Sequence, residues 1–230
     1  MPNELHIALQ KHYAGEDGFI ETRLDGYVID VMRDEIVYEI QTGSFSAISA
    51  KLAKLAKRHR VVLVYPLPAS RLIVRIDTET GEELSARRSP KHWKLLEVFR
   101  QMPYIARHFA KTGLELEVAW TVERELRSDD GQGSWRRKGV SLKGRELLEV
   151  VKTERFATPA DFLALLPPEL PPEFTVADLS QATGIGTWLA GKMAYSLRHI
   201  GTIRQIGKQG NAFVYERAGK KKRTRKKPAP

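Results

Sequence analysis

Two acidic residues that could do chemistry lie close together in a stretch of alternating apolar residues. Asp30 falls within GYVIDVM, and Glu39 falls nine positions later within EIVYEIQ. A tight turn at Arg33-Asp34 would pair these runs as antiparallel strands and bring the two carboxylates together. A carboxylate pair in an apolar sheet is costly to bury unless a cation neutralises it. Magnesium meets this need because it binds one or two carboxylates together with water and phosphate oxygens.

The surrounding segments alternate between helical and strand-like patterns. Residues 3–14 form an amphipathic pattern, and Asp25-Gly26 is a strong signal for a hairpin turn. The elements predicted in this half are, in chain order, helix 3–14, strands 19–24, 26–32 and 35–41, helix 46–59, and strands 61–67 and 70–77. This order predicts an α/β fold with a mixed central sheet flanked by helices.

The order of elements and acids resembles the PD-(D/E)XK nuclease superfamily over about residues 3–76. The matching pieces are Glu4 on the first helix, Asp30 in the meander, and Glu39-Ile40-Gln41 in place of the (D/E)-x-K motif. The resemblance implies a restriction-endonuclease-like core in which Asp30 and Glu39 hold Mg²⁺ or Mn²⁺ and Glu4 supports them. Members of this superfamily often act as dimers, so the resemblance also implies a homodimer as one assembly.

The chain departs from the superfamily motif at its lysine, which is Gln41 here. Some members carry the lysine on the following helix instead, and Lys51 is the first candidate for that position, with Lys54 second. Gln41 can position water but cannot supply positive charge. By resemblance, the predicted catalytic set is therefore Glu4, Asp30, Glu39, Gln41 and Lys51.

The middle of the chain offers fewer chemical signals. Helices are predicted over 91–111, with a break near Pro103, and around 143–153 and 159–166, with a strand over 114–127 between the first two. In the loop before residue 139, the side chains of Trp135, Arg136, Arg137 and Lys138 either clamp a nucleic-acid backbone or form a solvated hairpin tip. The six histidines show no metal-ligand spacing. There is also no nucleophile elbow or glycine-rich phosphate loop.

Four prolines within PPELPPEF indicate a stiff spacer, so a first domain is predicted over 1–166 and a linker over 167–172. Residues 173–217 resemble a winged helix-turn-helix: helix, turn, helix, then a hairpin. The second helix would expose Thr187, Trp188, Lys192, Tyr195 and Arg198 to a DNA groove, and the hairpin tip would offer Lys208, Gln209 and Asn211. A winged helix used for protein contact is the alternative.

Charge is concentrated at the C-terminus. The net charge is +10, and the segment 220–227 carries seven positive charges. Such a block predicts a disordered arm over 218–230 that binds a polyanion, although a solubilising tail also fits. No apolar run is long enough to span a bilayer, and no signal peptide is evident. The absence of cysteine is consistent with a cytoplasmic protein.

Together these features predict a Mg²⁺- or Mn²⁺-dependent nuclease that binds DNA and hydrolyses phosphodiester bonds. A non-catalytic DNA-binding or regulatory protein that keeps the nuclease fold as a scaffold is the alternative. The sequence does not decide between them.

Overall fold

The computed structural model describes residues 4–109, 111–133, 135 and 139–218. Arg136, Arg137 and Lys138 lie outside the described residues, as does the predicted tail apart from Ala218. Trp135 lies within them and is 83% exposed.

The N-terminal half follows the predicted order of helix, meander, helix and strand. Its elements are α1 (Glu4–Ala14), β1 (Phe19–Leu24), β2 (Tyr27–Arg33), β3 (Ile36–Ile40), a 3₁₀ turn (Phe45–Ala47), α2 (Ser49–Leu55) and β4 (Arg60–Ile76). The strands β1, β2 and β3 pair antiparallel, and the α2 crossover makes β3 and β4 parallel. The first hairpin turns at Asp25-Gly26 as predicted, with both residues at positive φ. The second turns at Asp34 and Glu35, one residue later than predicted, because Arg33 still pairs with Ile36.

The middle of the chain extends the sheet with two long strands. Its elements are β5 (Glu83–Arg88), 3₁₀ turns (Leu95–Arg100 and Met102–Tyr104), α3 (Ala106–Phe109), β6 (Leu114–Asp129), β7 (Val140–Phe156) and α4 (Pro159–Leu163). Within the described residues seven strands form one sheet in the order β1-β2-β3-β4-β6-β7, with β5 paired to the far half of β4. β4 and β6 run parallel, and β7 returns antiparallel. The fold is therefore α/β with a large mixed sheet.

Three element predictions are wrong in this half. The segment predicted as helix 143–153 is part of β7, because pairing along β6 outweighs the helical propensity of its Glu, Leu and Lys residues. The predicted helix 91–111 is broken into short turns around Pro103, which cannot donate within a helix. The predicted strands 61–67 and 70–77 form one continuous strand, β4, whose pairing with β6 carries only a register shift between Pro68 and Ser70.

The C-terminal unit contains the two helices and two strands predicted for it, together with a short first strand that was not predicted. These elements are β8 (Glu173–Phe174), α5 (Val176–Thr183), α6 (Thr187–Ile200), β9 (Ile203–Gln209) and β10 (Ala212–Arg217). Thr175 caps α5 in a capping box with Asp178, as the sequence predicts. Gly201 ends α6 in the left-handed conformation that glycine adopts without strain. The strands form a small antiparallel sheet in the order β8-β10-β9.

Two cores hold these layers together. One lies between α1 and the sheet and contains Leu5, Leu9, Val31 and Tyr38. The other lies on the opposite face and continues without interruption from α2 and the 95–109 segment into the helices α5 and α6. Among the described helices, none is both long and apolar enough to cross a bilayer.

The proline-rich segment 167–172 is anchored to the rest of the molecule. Leu170 is 2% exposed and belongs to the larger core. The guanidinium of Arg217 donates hydrogen bonds to the carbonyls of Pro167, Leu170 and Pro171. The sheet and the C-terminal helices are therefore joined by shared packing as well as by the chain.

Candidate active site

The candidate site lies where β2 and β3 part. Their pairing is regular from Arg33↔Ile36 to Val31↔Tyr38 and ends there. The Asp30 side chain then takes the place of a backbone partner, because its Oδ2 accepts a hydrogen bond from the Ile40 amide at 2.7 Å. The two strands are thus held together at this end by a carboxylate.

Glu39 lies beside the Asp30 carboxylate and is only 2% exposed. The Lys51 ammonium, from α2, lies 2.6 Å from Oε1 and 2.7 Å from Oε2 of Glu39. The same ammonium donates to the Val28 carbonyl at 2.6 Å. The structure therefore brings Asp30, Glu39 and Lys51 together, while the exposed Lys54, the second candidate, lies over the Tyr27 ring.

Two side chains of α1 that the sequence did not single out complete the cluster. His6 Nε2 lies 3.3 Å from Asp30 Oδ1, and Gln10 Nε2 donates to the same oxygen at 3.4 Å. His6 and Gln10 are four residues apart, so they share one face of the helix. The sequence shows this spacing, which predicts that the two side chains lie on one face of α1. It does not show which residue of the sheet that face contacts.

The two carboxylates are both buried, but their pKa values are shifted in opposite directions. Burial, reinforced by the negative charge of Asp30 and only partly opposed by Lys51, raises the pKa of Glu39 to about 7. Burial alone would also raise the pKa of Asp30. The hydrogen bonds from His6 and the Ile40 amide outweigh that effect and lower this pKa below its ordinary value. The hydrogen bond to Asp30 outweighs burial at His6 and raises the pKa of its imidazole.

The donor set fits a largely hydrated hard cation. Asp30 and Glu39 supply two carboxylates, and within the described residues Glu39 Oε1 has no aligned hydrogen-bond donor although it is buried. Mg²⁺ binds through one or two carboxylates and keeps several waters, and Mn²⁺ accepts the same ligands. In the described part of the chain, no group of three or more acidic or imidazole side chains could enclose a metal ion. A divalent ion held here would therefore keep most of its coordination sphere for water and substrate.

Two predicted catalytic residues point elsewhere. The Gln41 side-chain amide donates to the Ser44 carbonyl at 2.7 Å and so bonds within its own loop. The Glu4 carboxylate lies against Gly144 of β7, where a Cβ atom would be 3.3 Å from Oε2. The support that the resemblance assigns to Glu4 is supplied in this structure by His6 and Gln10.

A basic cavity of about 280 Å³ lies next to the site. It reaches from Leu5, beside His6, and Thr42, beside Gln41, to the ring of Trp93. Four cations line it together with two glutamates: Arg71, Lys91, Arg100 and Arg145, with Glu97 and Glu123. Arg71, Arg100 and Arg145 form ion pairs with glutamates, whereas the Lys91 ammonium lies 5.1 Å from the centroid of the Trp93 ring. Lys91 is therefore the lining cation that best suits a negatively charged group such as phosphate.

The predicted nucleic-acid-binding residues of α6 differ in exposure. Thr187, Trp188 and Arg198 are exposed, whereas Lys192 and Tyr195 are half-buried against the 95–109 segment. Lys192 Nζ donates to the Arg100 carbonyl at 3.0 Å. One flank of the predicted recognition helix is therefore covered by the body of the protein.

The hairpin between β9 and β10 presents Lys208, Gln209 and Asn211 to solvent. The Lys208 ammonium lies 5.0 Å from the centroid of the Phe213 ring. Gly210 turns the hairpin with a φ of 60°, which suits glycine. This tip has the exposure and charge required for contact with a polyanion.

Comparison with known proteins gives a family but no function. A family model described as "Domain of unknown function (DUF8091)" matches residues 3–157, which include the whole candidate site. An "Uncharacterized protein" from Treponema pallidum (strain Nichols) is 30% identical over 214 residues, covering 93% of this chain and 84% of that protein. No solved structure matches the chain.

Proposed function

The chain belongs to the DUF8091 family, and we propose that it is a metal-dependent nuclease of the PD-(D/E)XK kind that acts on DNA. The observation that carries the proposal is the meeting of Asp30, Glu39 and Lys51 at the parting ends of β2 and β3. A buried acid with one lysine partner and a second acid beside it is typical of a site that accepts a divalent cation.

The topology supports the same proposal. The helix α1, the meander β1-β2-β3, the crossover helix α2 and the parallel strand β4 follow the order of the restriction-endonuclease-like core. The acids also lie at the corresponding steps, on the second and third strands. A shared fold alone would not imply a shared activity, so the side-chain geometry is the stronger argument.

In the proposed site Asp30 and Glu39 hold Mg²⁺ or Mn²⁺. When bound, such an ion lowers the pKa of a water molecule and stabilises charge on the scissile phosphate. Lys51 orients the Glu39 carboxylate and keeps a positive charge beside it. His6 and Gln10 fix the Asp30 carboxylate through their contacts with its Oδ1.

We assign the C-terminal unit to the winged-helix fold, as the part that brings DNA to the site. The helices α5 and α6 and the β9-β10 hairpin, with β8 as the third strand, have the winged-helix order. The basic segment 220–227 adds a salt-sensitive attraction to phosphates.

The test is a cleavage assay on single-stranded, duplex and branched DNA with Mg²⁺ or Mn²⁺. Asp30→Ala and Glu39→Ala are each expected to reduce the rate by about 10³-fold, since a catalytic metal supplies several kcal/mol of transition-state stabilisation. Glu16→Gln, at an exposed acid beyond the far end of α1, is the matched control and should retain full activity. Cleavage that survives both alanine substitutions would reject the assignment.

A second candidate is a non-catalytic DNA-binding protein that keeps this fold as a scaffold. The observation in its favour is that Lys51 already contacts both oxygens of Glu39, while Gln41 is held by Ser44. Calorimetric titration with Mn²⁺ separates the two candidates. Binding that Asp30→Ala removes supports the nuclease, whereas no binding, together with DNA affinity that ignores divalent ions, supports the scaffold.

A further inference from the structure

We propose that a strip of aromatic rings and cations shared by the 95–109 segment and α6 binds an unpaired strand of nucleic acid. The strip consists of six residues: Arg100, Tyr104, Arg107, Trp188, Lys192 and Tyr195. The inference rests on the proposed function, whose substrate class it narrows from DNA in general to a substrate with an unpaired segment.

Trp188 is the centre of the strip, and 60% of its surface is exposed. The Lys192 ammonium lies 4.4 Å from the ring centroid and the Arg100 guanidinium lies 5.2 Å from it. The ring and its cations form one unit although they come from distant parts of the chain.

The pairing of a ring with a cation recurs at two further residues. Tyr104 is 48% exposed, and its ring lies 6.0 Å from the same Lys192 ammonium. Further along α6, Tyr195 has the Arg107 guanidinium 5.9 Å from its ring centroid. Each of the three rings therefore has a cation within 6.0 Å of its centroid.

This pairing of rings with cations matches the chemistry of single strands. Unpaired bases stack on aromatic side chains, and the phosphates that follow each base are attracted by neighbouring cations. Bases in a duplex are already stacked on one another and cannot reach such rings. Glu97 forms an ion pair with the Arg100 guanidinium, so Arg107 and Lys192 supply the net positive charge of the strip.

The strip shares one residue with the basic cavity described above. Arg100 contacts Trp188 on one side and lines the basic cavity on the other. That cavity reaches Thr42, the residue after Gln41, and Leu5, the residue before His6. Arg100 therefore belongs both to the strip and to the lining of the basic cavity.

Binding without metal tests the strip separately from cleavage. The full chain is titrated in EDTA into fluorescently labelled dT20 and into a 20-base-pair duplex at the same salt concentration. The wild type is expected to bind dT20 more tightly than the duplex. Trp188→Ala and Tyr104→Ala should each weaken dT20 binding by about tenfold, with little effect on the duplex.

Two further variants control the result. Phe19→Ala removes an aromatic side chain of β1 that is 68% exposed and lies outside the strip, and its dT20 affinity should equal that of the wild type. Trp188→Phe keeps a ring for stacking and should retain most of the affinity while losing the quenching of tryptophan fluorescence by dT20. Equal affinities of the wild type and both alanine variants for dT20 would overturn the proposal, as would a preference for duplex. Neither outcome depends on whether Asp30→Ala abolishes cleavage.

Discussion

The protein buries carboxylates in two places and neutralises them very differently. On β6 each of four buried glutamates has an arginine partner: Glu115, Glu117, Glu123 and Glu125. Glu125 alone contacts the guanidinium groups of Arg71, Arg127 and Arg145. Glu39, in contrast, is buried with a single lysine and a second carboxylate beside it.

The difference appears in the protonation of the two groups. Burial opposes ionisation at Glu125, but hydrogen bonding to Arg127 and the charges of its arginine partners outweigh it and lower the pKa. At Glu39 burial prevails and raises the pKa to about 7. A carboxylate saturated with guanidinium serves the structure, whereas an under-neutralised one retains the capacity to accept a cation.

The largest effect expected on folding comes from the saturated group. Glu125→Gln leaves three arginines around a neutral side chain, so the free energy of unfolding should fall by about 3 kcal/mol. Urea denaturation measures this directly. Glu149→Gln, at an exposed acid of β7, is the control and should change stability by less than about 0.5 kcal/mol. Equal stability of the two variants would show that the arginine-paired Glu125 contributes no more to folding than an exposed acid does.

An intermediate effect on the free energy of unfolding is expected when pH changes the protonation of Glu39. Its folded pKa of about 7 lies above its unfolded value of about 4.3, so the folded protein binds the proton more strongly. Its contribution to stability is complete below the unfolded pKa and is lost as pH rises through 7. Between pH 5 and pH 8 the wild type should therefore lose about 2 kcal/mol relative to Glu39→Gln.

Denaturation of the wild type and Glu39→Gln at both pH values checks this sign. Glu125 must behave in the opposite way, because its lowered pKa gives stability that is lost only as pH falls. Parallel stability curves for the wild type and Glu39→Gln would show that Glu39 is as fully neutralised as the acids of β6.

The smallest effect on stability is expected at an exposed ion pair between β4 and β6. Arg75 and Asp129 lie 2.9 Å apart, but both side chains are more than half exposed. Asp129→Asn should change the free energy of unfolding by less than about 1 kcal/mol, measured by urea denaturation. A larger loss would show that an exposed ion pair in this protein stabilises the fold as much as a buried one does.

Local sequence signals were sufficient where an element depends on its own residues. The Asp25-Gly26 turn, the Thr175 capping box and the glycine at the end of α6 each act within a few positions, and the structure contains all three. The pairing that brings Asp30 to Glu39 follows from one hairpin. The position of Lys51 follows from the superfamily resemblance and not from spacing.

Long-range pairing and helix docking could not be predicted in this way. Residues 143–153 contain good helix formers, yet they lie in β7 because β6 offers a partner along its whole length. His6 and Gln10 reach Asp30 only through the packing of α1 on the sheet, an angle that no local pattern encodes. The contact of Trp188 with Arg100 likewise joins residues far apart in the chain.

The anchoring of the 167–172 segment has a mechanical consequence. Arg217 fixes this segment, and one core runs from the sheet into α6, so the unit that carries the hairpin tip at Lys208 is packed directly against the sheet that carries Asp30. The hairpin tip and the candidate site therefore belong to one packed body. If the protein cuts nucleic acid as proposed, the number of nucleotides between the bound point and the cut is set by the protein's own dimensions.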